Sequence, residues 1–141
     1  MKPKHKVFVS IPENIYRQPF YFSFGHKWED ETVQTFLKNT LGLTEQQIKW
    51  NWPGKGVGAR WTHSDDKSIS MIWISPGCQS LLTAIPHEAI HLAMDVLTRR
   101  GVPISEENSE ALTYLVEYYI NEMFYLAGFG ELTHHKAKYK P

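Results

Sequence analysis

The stretch His87-Glu88-Ala89-Ile90-His91 places two histidines four residues apart with a glutamate between them. On an α-helix, residues four apart share a face, so both imidazoles can reach a single metal ion. Glu88 is turned about 100° round the helix from His87, where it can meet a water activated by that metal. The segment that follows, Leu92-Ala93-Met94-Asp95-Val96-Leu97, is apolar and helix-forming, so the motif sits in the helical context this geometry needs.

A carboxylate stands downstream at a useful distance. Eighteen residues lie between His91 and Glu110, which falls in Asn108-Ser109-Glu110-Ala111-Leu112. They read as the rest of one helix, a turn and the start of another. A catalytic zinc site takes three protein ligands and keeps one position open, and two His with one Glu is a known set. His87, His91 and Glu110 are therefore the expected metal ligands, with Zn2+ as cofactor. Glu106 and Glu107 lie within one turn of Glu110 and remain alternatives.

The whole pattern resembles the gluzincin branch of the zincin metallopeptidases, in which HExxH is followed by a ligand Glu some eighteen to twenty residues later. That resemblance implies a zincin-like α+β domain hydrolysing peptide bonds, with Glu88 as general base. Thermolysin-like peptidases carry an Asp where Tyr114 stands here, which leaves the outer partner of His87 unassigned. A narrower resemblance covers Ile72 to Phe124. Its signals are Ile72-Trp73-Ile74, His87 to His91, Gly101-Val102, and Glu107-Asn108-Ser109-Glu110-Ala111-Leu112-Thr113-Tyr114-Leu115. These resemble small HExxH proteins encoded by tailed bacteriophages, which implies an intracellular product in the cytoplasm of a bacterial host. It implies no particular substrate. A binding or assembly protein of zincin shape, with a structural or vestigial metal, is the alternative.

Weaker candidates surround the motif. Asp95 lies four residues after His91 and can orient it from outside the metal, or be solvated. Tyr114 lies four after Glu110 and is assigned a catalytic part, bonding a ligand or steadying an oxyanion, against the alternative of a core aromatic. His63 and the His134-His135 pair are further oxyanion candidates.

Charge and composition narrow the class. Fifteen basic residues balance fifteen acidic ones, and 42% of the chain is apolar. This predicts a folded domain spanning residues 1–141 and no general nucleic-acid partner, although residues 132–141 form a basic tail expected to be mobile. The expected partner is a peptide or protein substrate; the oligomeric state is not legible. Cys78 is the only cysteine, so no internal disulfide forms and a reducing compartment fits. No secretory leader is visible before Pro12, and no apolar run is long enough to span a bilayer.

The remaining elements follow from local chemistry. Lys6 to Ile11 reads as a strand, and Pro12 to Gly25 as strand or irregular wrap. Glu29, Asp30 and Glu31 start a helix through Leu41, ended by Gly42. Thr44 with Gln47 is a capping box for a short second helix to about Lys49. Trp52-Pro53-Gly54-Lys55-Gly56-Val57-Gly58 lacks the spacing of a phosphate loop or dinucleotide fingerprint and reads as a flexible loop. Ala59 to His63 and Ser68 to Ser75 form a hairpin, with Ile69, Met71 and Trp73 on one face. By resemblance, one of these strands holds substrate as an added strand; the alternative is an ordinary hairpin. Pro86 suits only a first turn, which places the metal helix's N-cap near Thr83, after an irregular Gln79–Leu82. Arg99, Arg100 and Gly101 end that helix, and Pro103 prevents its continuation. Ser105 caps the next one, whose apolar side runs through Ala111, Leu112, Leu115, Tyr119, Met123 and Leu126 to Gly128 and Gly130.

Overall fold

The computed structural model describes residues 6–129. It is α+β, with a four-stranded mixed sheet and four α-helices. In chain order these are β1 (Val7–Ile11), β2 (Phe20–Phe24), α1 (Glu31–Asn39), α2 (Glu45–Asn51), β3 (Ala59–His63), β4 (Ser70–Ile74), α3 (Leu81–Arg99) and α4 (Ser109–Phe124). A 3-10 turn at Glu106–Asn108 precedes α4, and a π-turn at Tyr125–Phe129 follows it. Chain contacts divide the molecule into two compact units, with the boundary in the sequence between Ala84 and Ile85.

The first unit holds the sheet, in the order β1-β2-β4-β3. β3 and β4 form the expected antiparallel hairpin, and β1 pairs antiparallel with β2. The sheet is nevertheless mixed, because β2 and β4 run parallel, with Phe22 opposite Ile72. A parallel neighbour needs a long crossover, supplied here by α1, α2 and β3. β4 is thereby paired on both sides and buried along its whole length, which is why Ile72 and Ile74 are as apolar as Met71 and Trp73. Among the described residues, β3 is an edge strand of the sheet, whereas β4 is not.

One face of the sheet is covered by the two short helices. Val33, Phe36 and Leu37 of α1 and Ile48 of α2 pack with Trp28, Leu41, Leu43, Met71 and Trp73 in one cluster. Phe36 meets Tyr21 with ring centroids 4.5 Å apart and Phe8 at 5.2 Å. Each such side chain contributes about 1.5–3 kcal/mol by leaving water. The capping box of α2 is complete: the Gln47 N–H donates to Thr44 Oγ1 (3.1 Å), and the Thr44 N–H to Gln47 Oε1 (2.8 Å). At α1, Asp30 holds the N-cap position without capping; its carboxylate instead accepts the Lys27 N–H and pairs with Lys6 and His26.

Two carboxylates shape the loops of this unit. Glu13 is buried and accepts the N–H groups of Ile15 (2.7 Å), Tyr16 (2.8 Å) and Gln18 (3.4 Å). It gathers residues 12–19 into the irregular half of the aromatic stretch, and Gln18 Nε2 ties that loop to the Ser68 carbonyl at 2.8 Å. Glu13→Ala leaves these donors without their acceptor, and is expected to lower stability by about 2–3 kcal/mol. Glu13→Gln keeps an acceptor and should cost less. Urea unfolding of the three proteins checks this, and equal midpoints for wild type and Glu13→Ala would refute it.

Asp66 plays the matching part in the β3–β4 turn. Its Oδ1 accepts from Ser68 Oγ (2.7 Å), Ser68 N–H (2.9 Å) and Ser64 Oγ (2.7 Å). These bonds, the Ser68 hydroxyl foremost, lower its pKa from 3.8 to about 2. Because the folded value lies below the unfolded one, the contribution is complete above pH 3.8 and fades as pH falls through about 2. An acid titration followed at the Ser68 amide by NMR should show a midpoint near 2; one near 3.8 would contradict the bonding.

The second unit starts inside α3. That helix begins at Leu81, so it starts three residues earlier than an N-cap at Thr83 would place it. Ser80 O accepts the Ala84 N–H at 3.0 Å, so the first turn forms ahead of the proline. The cost is small because the bond Pro86 cannot make would fall on Leu82, an 80% exposed residue in the helix's first turn. The helix stops as its sequence requires: Gly101 takes φ +70°, its N–H bonds Thr98 O, and the Val102 N–H reaches back to Leu97 O at 2.9 Å. Ser105 heads the separate 3-10 turn and not α4, whose N-cap is Asn108. The buried residues of α4 are Leu115, Tyr119, Glu122 and Met123. Gly130 and the expected mobile tail lie outside the described residues.

Candidate metal centre

The helix carrying the motif is amphipathic. Ile85, Ala89, Leu92, Ala93, Val96 and Leu97 are buried and fall on one side. His87 and His91 lie on the opposite, exposed side. Their rings cross at 68°, and the two Nε2 atoms stand 3.1 Å apart. For zinc bonded to imidazole at 2.0–2.1 Å in tetrahedral geometry, two ligand nitrogens are separated by about 3.3 Å. The pair is thus spaced to share either a proton or a metal ion. Glu88 is turned to the flank of the same helix and, at 8% exposed, is largely withdrawn from water.

Glu110 occupies the second position of α4 and is exposed; Glu106 and Glu107 are exposed on the 3-10 turn before it. Among the described residues, no group of three or more His, Cys, Asp or Glu is gathered so that it could hold a metal ion. The structure therefore brings together two of the three expected ligands, His87 and His91, and does not gather Glu110 with them. The reason is local. His87 and His91 are fixed by one helix, whereas Glu110 depends on the turn between two helices, where Pro103 and a 3-10 turn set the path.

The weaker candidates are engaged in specific contacts. Asp95 receives Arg99 Nε at 2.8 Å, one turn along the helix, so its carboxylate is committed to an ion pair. Tyr114 is half-buried and stacks on Tyr118, with centroids 6.0 Å apart and ring planes at 21°. His63 lies on β3 in the first unit, with Nδ1 2.7 Å from the Ser64 carbonyl and its ring against Trp61. Cys78 is a free, half-buried thiol, and its Sγ would lie 3.1 Å from a Cβ added at Gly58, a packing role. His134 and His135 lie outside the described residues. Composition and motif alone passed over Glu122, which is buried among apolar residues of α4; its place seven residues after Leu115 on the apolar face is the signal that marks it. Among the described residues, no helix is long and apolar enough to cross a membrane. Comparison of the chain with protein-family models, curated proteins and solved structures finds no match.

Proposed function

We propose that this protein is a zinc-dependent metallopeptidase of gluzincin type, with His87, His91 and Glu110 as metal ligands and Glu88 as general base. The observation that carries the reading is the pair of Nε2 atoms 3.1 Å apart on the exposed side of α3, with a shielded carboxylate between them in sequence. Zinc bound there supplies a Lewis acid that polarises a peptide carbonyl and makes water acidic near neutral pH. Glu88 then does the proton work. It takes a proton from the attacking water and returns it to the departing amine, so one carboxylate serves both halves of the reaction. Glu110 is the ligand that leaves the helix of the other two, and its carboxylate balances one of the ion's two charges. Tyr114 is assigned to the oxyanion side, by its position one turn after Glu110.

One observation favours a second reading. Only two ligands are gathered among the described residues, which suits a zincin-shaped binding or assembly protein, with a phage product as the narrower proposal. Glu88 separates the two, because a structural site has no use for a general base. Zinc analysis of the purified protein, together with a proteome-wide cleavage screen of wild type against Glu88→Gln, tests the enzyme reading. Cleavages lost with Glu88→Gln support it; identical cleavage patterns with zinc retained in both would end it.

A further inference from the structure

We propose that the first unit carries a second site, a cavity of about 400 Å³ that binds a small ligand joining a flat ring to an anionic group, of which a nucleoside monophosphate is the representative. The cavity is framed by residues that follow β2, by the glycine-rich loop Trp52–Val57, and by the end of β4 with the residues after it. β2 and β4 are the parallel pair, so the cavity opens at their carboxyl ends, the position where open sheets with parallel strands commonly receive ligands. Its size lies within the range of small-molecule pockets.

Three indoles supply the apolar surface. Trp28 and Trp73 are 3% and 5% exposed and meet edge to face with centroids 5.4 Å apart, making a rigid wall. The Trp73 indole N–H is committed to the His26 carbonyl at 2.8 Å, which fixes that ring. Trp52 is different. It is 52% exposed on the glycine-rich loop, so a large aromatic face stands at the rim in contact with water. A flat ring stacked on it would cover that face whatever the ring's substituents.

Charge decides the rest of the ligand. The lining side chains include two cations, Lys27 and Lys55, and one carboxylate, Glu29. No Asn, Gln or Asp is among them, so the paired acceptors and donors that would grip the hydroxyls of a neutral sugar are missing. Lys55 stands between Gly54 and Gly56, whose φ values are +85° and +86°. A Cβ at either glycine would meet nothing within 4 Å. These glycines serve the turn and not close packing, and the turn presents Lys55 at an open rim where an anion can reach it.

The site is independent of the histidine pair, so its test needs no peptidase activity. Isothermal titration of the full chain with adenosine and uridine monophosphates should give saturable one-site binding that weakens with added salt. Adenosine alone and inorganic phosphate alone should each bind about tenfold more weakly or worse, since each lacks half of the recognition. Trp52→Ala and Lys55→Glu should each weaken the nucleotides about tenfold. Both side chains are exposed, so the melting temperature of each variant should match wild type and exclude misfolding as the cause. Absence of saturable binding of both nucleotides up to about 5 mM would overturn the proposal. So would tighter binding of a neutral disaccharide, or nucleotide affinity that neither variant changes.

Discussion

Glu88→Gln is expected to keep zinc and fold while losing hydrolysis by a factor of about 10²–10⁴. Gln has the size of Glu and can still hydrogen-bond a water, but it cannot take that water's proton. The helix should tolerate the change, because the residue sits at the flank of α3 and not in the apolar stripe of Ile85, Ala89, Leu92 and Val96. Removing a negative charge from an 8% exposed position also leaves no new buried charge behind. Three measurements are needed on the same preparation: zinc content, melting temperature and cleavage of whichever substrate the proteome-wide screen returns. Retained zinc with lost cleavage identifies a base. Zinc lost together with cleavage would make Glu88 part of the metal's hold and remove it from the chemistry assigned here.

The parts of the fold that were legible in the sequence are those fixed within a few residues. The Thr44–Gln47 box, the Gly101 cap and the Ala59–His63 strand are each set by local bonding, and each lies where the sequence puts it. The parallel pairing of β2 with β4 was not legible, because about fifty residues separate Phe22 from its partner Ile72 and no local signal records that contact. The start of α3 departs from the proline rule because that rule assumes the lost bond matters, and here the bond is lost at Leu82, an 80% exposed residue of the first turn. No sequence pattern marks Glu13, yet three backbone N–H groups converge on it. The same distinction divides the metal site. His87 and His91 share one helix, so their spacing alone brings their nitrogens to 3.1 Å. Glu110 belongs to another element, and spacing along the chain does not determine where a turn delivers it.

His91→Ala should take bound zinc from about one equivalent per chain to near zero after dialysis, because a single imidazole with one carboxylate falls short of the three ligands a stable site uses. Loss of the ion should lower stability without abolishing the fold. The buried residues of both units, from Phe20 and Leu37 to Leu115 and Met123, are apolar contacts that do not depend on metal. At a free zinc concentration a hundredfold above the dissociation constant, the ion contributes about 2.7 kcal/mol, or roughly 5–10 °C in melting temperature at this chain length. Chelated wild type and His91→Ala should therefore melt together, both cooperatively, and added zinc should raise only the wild type. Glu110→Gln tests the third ligand separately. Where Glu110 is a ligand, its variant binds zinc more weakly than wild type but more tightly than His91→Ala, since two imidazoles remain 3.1 Å apart. A Glu110→Gln protein with wild-type zinc retention would move the third position to another donor, Glu106 and Glu107 first. A His91→Ala protein that keeps a full equivalent would show that the histidine pair is not the site at all.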